Sequence, residues 1–312
     1  MATISKNTKT WIWVIVGIII FALMILFSYH YKYTLVVTKS EFRDLLEKYH
    51  IKYLETLHQK DLYHRGIFTN ASINQLLKIY LSKYRDKGLF SHLILENIVS
   101  RLRRISFINN KNIPWKFVIV TNSMEGGNPF TIHDTIVIPS KMLGELYSIW
   151  FKNDTQFIES RVINTLIHER IHIIQKKYPH QFDKLYIKHW GFYHDVVDVP
   201  KTIRSIIRTN PDGMDLSWTW SGGIRVFCVF KPIGPAKINN VEIIYANNDN
   251  RLGYVKFLPN FIKFFGFNVN YYHPHEISAE IIAQLITKNN PLLLQYPAAI
   301  QCKEWLKEIL NK

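Results

Sequence analysis

The stretch NTLIHERIHIIQ, Asn164 to Gln175, constrains the fold more than any other part of the chain. On a helix, Val162, Ile163, Leu166, Ile167, Ile171, Ile173 and Ile174 cover most of the circumference, leaving one polar stripe of Thr165, His168, Glu169, His172 and Lys176. Such a helix has to be enclosed on nearly every side, with a cleft along the stripe. The rest of the chain must therefore supply both the enclosure and the chemistry that the stripe lacks.

Residues four apart share a helix face, so His168 and His172 offer two imidazole nitrogens to one metal ion in an H-E-x-x-H arrangement. Glu169 is rotated about 100° from His168 and reaches a metal-bound water instead of the metal. Zinc lowers the pKa of such a water toward ~7, and Glu169 would act as general base as the hydroxide attacks a carbonyl. A catalytic Zn2+ site needs three protein ligands and an open position, so a third ligand is required.

The positions where one common continuation of the motif needs Gly and a third His hold Gln175 and Tyr178. A second motif lies downstream. In YYHPHEISAEIIAQL, Pro274 marks a helix start, and Glu276 and Glu280 fall on one face. Glu276 would ligate the metal, and Glu280 would accept the outer N–H of a ligating histidine and fix its tautomer. The plain alternatives are a carboxylate favoured by a helix N-terminus and a solvated charge. For stabilising the transition state, Tyr272 and His273 stand nearest the proposed ligand, beside Tyr271.

HERIH and HEISAE together resemble the gluzincin branch of the zincin metallopeptidases, over about Trp115 to Leu285. The resemblance implies a zincin-like domain with a small β-sheet and an active-site helix, a later glutamate as third ligand with an acidic residue four positions on, and an edge strand that binds extended substrate by β-augmentation. Glu276 and Glu280 match the first pattern, and PFTIHDTIVIP stands where the strand belongs. His275 replaces the Asn of the best-known pattern, which keeps His273 and His275 as rival ligands; His180, Asp183, His189 and His194 are weaker rivals in no recognisable motif.

The expected fold is α+β in three parts: a tail and membrane anchor over 1–31, a helical region over 32–110 and the zincin-like domain over 111–312. WIWVIVGIIIFALMILFSY, Trp11 to Tyr29, carries no charge and is about as long as the ~30 Å hydrocarbon layer, so it reads as a single transmembrane helix. Lys6 and Lys9 precede it and Lys32, Lys39, Arg43 and Lys48 follow it, which leaves the side of the large domain undecided.

The formal charge of +15 is spread along the chain, with only Arg101 to Arg104 forming a compact cluster, so nucleic acid is not an expected partner. Cys228 and Cys302 are too few for a disulfide framework, and whether they pair is open. The expected function is a membrane-anchored zinc metallopeptidase acting on a peptide or protein substrate. The alternative is a membrane-tethered interaction protein that keeps the scaffold without turnover.

Overall fold

Thr38 separates the first strand from the first helix because its hydroxyl and the Glu41 carboxylate cap each other's backbone N–H groups. The computed structural model describes residues 11, 13–18 and 34–310, other than 87, 110–111, 196–198, 238–239 and 289. Strand β1 (Thr34–Val36) leads into helix α1 (39–56), which carries a π turn at Leu46–His50. Helices α2 (Gln59–His64), α3 (Ile73–Ser82) and α4 (Leu89–Leu102) follow. Then come β2 (Trp115–Val120), β3 (Phe130–Ile132) and β4 (Thr135–Pro139).

These strands form one mixed sheet in the order β1-β2-β4-β3, with β1, β2 and β4 parallel and β3 antiparallel at the edge. Alternation along β2 and β4 explains why both faces are covered. Trp115, Phe117, Ile119, Ile136 and Ile138 join a core with α4, α5 (Ser140–Ile149) and α6 (Arg161–Lys177). Val118, Val120 and Val137 join a second core with α1, α2 and α3. The 32–110 region thus contributes a strand to the sheet and helices to both of its faces.

Beyond α6, β5 (Phe192–His194) pairs with β6 (Trp218–Trp220), and β7 (Arg225–Phe230), β8 (Val241–Ala246) and β9 (Leu252–Tyr254) form an antiparallel sheet. Helices α7 (Pro259–Phe265), α8 (Pro274–Thr287) and α9 (Pro297–Leu310) close the chain, and α8 packs along α6. Cys228 in β7 and Cys302 in α9 are both free and buried.

The transmembrane anchor expected over Trp11 to Tyr29, and the single-pass membrane location with it, needs correction. Among the described residues, no helix is long and apolar enough to cross a membrane. Ile12 and residues 19–29 of that run lie outside the described residues.

A buried ionic network ties the helical layer to the rest. Arg65 on the C-terminal side of α2 bonds Asp61 (3.0 Å) and Glu125 (2.8 Å), and its Nη2 also donates to the Thr209 carbonyl (2.9 Å). Asp61 accepts from the Thr209 N–H (3.0 Å) and hydroxyl (2.8 Å), so the loop at 209 is gripped from two sides. Tyr53 and Tyr80 donate to Glu125. Burial opposes the Glu125 charge, but Arg65 and these hydrogen bonds outweigh it and hold the carboxyl below its ordinary range.

His50 sits among the rings of Tyr53, Tyr80 and Phe130, with its buried Nε2 lacking a hydrogen-bond partner. Burial pushes its pKa down to about 4. An unfolded chain takes a proton at this position near pH 6.5, which the folded chain refuses until about pH 4. The stability due to neutral His50 is therefore complete above pH 6.5 and is lost as the pH falls toward 4. Denaturant unfolding at pH 6.5 and 5.0 checks this: His50→Phe should lose about 1.6 kcal/mol less than the native chain over that interval, since the unfolded histidine is half protonated at the upper pH and a full proton is worth ~1.4 kcal/mol per pH unit.

Candidate metal centre

Helix α6 ends at Tyr178 because Pro179 follows it. Its buried length presents His168, Glu169 and His172 toward the first turn of α8. That turn is fixed by Pro274 at its start and by the His273 ring, whose Nδ1 accepts the His275 N–H (3.2 Å). Glu276 then lies in the first turn, where the exposed N–H dipoles of the helix favour a carboxylate.

Three donor atoms converge. His168 Nε2 and His172 Nε2 are 3.0 Å apart, His172 Nε2 is 3.2 Å from Glu276 Oε1, and His168 Nε2 is 3.4 Å from Glu276 Oε2. Ligands bound tetrahedrally at ~2.0–2.1 Å are separated by about 3.3 Å, so this spacing already fits a zinc ion.

The outer nitrogens decide the tautomers. His168 Nδ1 lies 3.3 Å from Glu280 Oε2. His172 Nδ1 is 2.8 Å from Gln175 Oε1, and the Gln175 amide nitrogen donates to the His275 carbonyl and to Ser278 Oγ, both at 2.8 Å. Each histidine thus has an acceptor facing Nδ1, so that in the neutral ring the proton belongs there and Nε2 is the nitrogen that would bind a metal. Burial opposes charge on His168, but hydrogen bonds with Glu276 and Glu280 outweigh it and lift the pKa well above the ordinary value. His172 is shifted up in the same way, with Asp212 and Glu276 opposing burial. Burial likewise works against the Glu276 carboxylate, and His172 and His168 more than offset it, holding the group well below its usual range. The environment calls for positive charge at this point.

Glu169 stands differently. Its Oε2 is buried with no hydrogen-bond partner, and burial pushes its pKa up to about 7, against the pull of His168. A second group, Glu169, His172 and Asp212, also clusters within 4.8 Å. Asp212 is already engaged there: Oδ1 accepts from Lys176 (2.7 Å) and from the Thr131 hydroxyl, and Oδ2 from the Thr131 N–H (3.0 Å). Asp212 is thus tied to Lys176 and Thr131, whereas the His168, His172 and Glu276 donors face one another directly.

These contacts also cover the edge strand expected to bind substrate. Phe130, Thr131 and Ile132 are buried, the Thr131 N–H is taken by Asp212, and its carbonyl accepts from Lys176 (3.3 Å). Strand addition at Thr131 is thereby blocked.

Of the residues named from sequence, His168, Glu169, His172, Glu276 and Glu280 meet at one cleft of about 270 Å³. Tyr272 lies behind Glu276, its hydroxyl accepting from Asn210 (2.7 Å), which also donates to Glu276 Oε1 (3.1 Å). His273 is turned away, with Nε2 bonded to the Asp215 carbonyl (2.9 Å) and Nδ1 capping α8. His275 packs against Tyr186, His180 is exposed beside Asp183, and His194 stacks on Trp218; none of them reaches the imidazole pair. Gln175, Arg208, Asn210 and Asp212 are the site residues that sequence reasoning missed. Gln175, three positions after His172 on the same face, was the one with a readable signal. A larger cavity, about 690 Å³ beside Tyr63 and Pro235, contains none of these groups. No protein-family model, curated protein or solved structure matches this chain.

Proposed function

We propose that this chain is a zinc-dependent metallopeptidase that hydrolyses peptide bonds, with His168, His172 and Glu276 as ligands and Glu169 as general base. The observation that carries this reading is the convergence of two imidazole nitrogens and a carboxylate within 3.0–3.4 Å. The buried, unpartnered oxygen of Glu169 beside them supports it. Bound zinc would supply Lewis acidity that polarises a carbonyl and makes water acidic near neutral pH.

The protein's own part is to hold the donors and move the proton. Glu280 and Gln175 fix the two imidazoles, and Asn210 orients the Glu276 carboxylate. Glu169 takes a proton from the attacking water and passes it to the leaving amine; a carboxyl pushed up to about 7 exchanges protons near neutral pH. An inert scaffold has no chemical use for a buried, unpaired carboxylate at this position.

The test is cleavage of a mixed peptide library by the purified chain before and after stripping with a chelator. Cleavage should fall at least a hundredfold on stripping and return with one equivalent of zinc. Cleavage that persists in the stripped protein, or that never occurs with zinc bound, contradicts the reading.

A further inference from the structure

One side chain, Arg208, borders both the metal cleft and a second pocket of about 170 Å³. The second pocket is mainly apolar, with Val199, Ile207, Met214, Leu216 and Phe227 in its walls. Thr209, the next residue, is clamped by Asp61 and Arg65, which fixes the backbone that carries Arg208. Arg208 Nε is buried and has no hydrogen-bond partner, and no described carboxylate forms an ion pair with the guanidinium. Burial opposes its charge, while the nearby Glu276 carboxylate favours it, and the guanidinium stays protonated as arginine does throughout the ordinary pH range.

A guanidinium with an unmet donor, held at a cleft, lacks an anion. Its planar fork matches a carboxylate through two parallel hydrogen bonds, and such a group would meet the free N–H. The neighbouring apolar walls suit a hydrocarbon side chain next to that carboxylate. We propose that Arg208 binds a carboxylate of the peptide substrate, while the adjoining pocket takes an apolar side chain beside it. This rests on the peptidase reading above. The carboxylate comes either from a free C-terminus, making the enzyme trim chain ends, or from an Asp or Glu side chain near the scissile bond.

Zinc-loaded Glu169→Gln protein, which should bind without turnover, allows a test by fluorescence anisotropy with labelled hexapeptides. One pair ends in Leu as the free acid or the amide. A second pair is amidated and carries Glu or Gln beside an internal Leu. The acid member of one pair should bind at least tenfold more tightly, and the preference should vanish in Glu169→Gln/Arg208→Gln. Arg208→Lys, which keeps the charge and loses the fork, should weaken it severalfold, and serves if the Gln variant does not fold. A preference in the first pair assigns the C-terminus, and one in the second assigns a side chain. Equal binding within both pairs, or a preference that survives replacement of Arg208, overturns the proposal. If zinc content and library cleavage are intact in that case, only the Arg208 assignment falls; if they fail as well, the peptidase reading falls with it.

Discussion

Replacing Glu169 by Gln should lower peptide cleavage by about a thousandfold while zinc stays bound at one ion per chain. The substitution keeps the size of the side chain and removes only its ability to take a proton. Glu169 is absent from the converging donor set, so zinc has no reason to leave. Steady-state kinetics on a cleaved library peptide, with metal content measured on the same sample, gives both numbers. A variant that keeps its rate would show that the buried carboxylate is no base, whereas one that loses zinc would show that it is a ligand.

The second large effect concerns stability. Arg65→Met should destabilise the protein by about 3–5 kcal/mol, because it leaves Asp61 and Glu125 as buried carboxylates without their shared cation. It also removes one of the two grips on Thr209, next to Arg208 and Asn210. Urea unfolding monitored by tryptophan fluorescence measures the loss. A change below 1 kcal/mol would mean that the network contributes little. The contacts of Arg65 carry a further consequence: α1, α2 and α3 cover one face of the sheet and hold the loop that lines the cleft. Removal of the 32–110 region would expose that face.

The α+β class, the polar stripe of α6 and the pairing of Glu276 with Glu280 were legible in sequence because each depends on local spacing. His168 and His172 lie one turn apart whatever the rest of the chain does, and Pro274 fixes where α8 starts. The residues that were not legible depend on tertiary approach. NPDG marks a turn, and the turn forms, with the Gly213 N–H bonded to the Asn210 carbonyl. Only the packing of that turn against α8 makes Asn210 a partner of Glu276 and Asp212 a partner of Lys176. Gly213 permits this approach, since a Cβ there would lie 3.3 Å from the His273 ring.

Two expectations erred for physical reasons. PFTIHDTIVIP was readable as strands, but its edge is closed by an aspartate some eighty positions away. The uncharged run from Trp11 to Tyr29 and its length suggested the anchor, which no helix among the described residues is long and apolar enough to provide. Arg170 shows the reverse case, a charge inside the apolar face of α6: its guanidinium donates to the Ile113 and Pro114 carbonyls and lies over the Trp115 ring, so it fastens the helix to the loop before β2.

The central claim is that two imidazoles of one helix and a carboxylate of another share a cation. Zinc K-edge absorption on the Glu169→Gln protein loaded with one equivalent of zinc tests this most directly. The account predicts two imidazole nitrogens and carboxylate oxygen at ~2.0–2.2 Å, with the imidazole scattering reduced in His172→Ala and the oxygen shell altered in Glu276→Ala. A sulfur ligand, fewer than two imidazoles, or a spectrum unchanged by either substitution would contradict it.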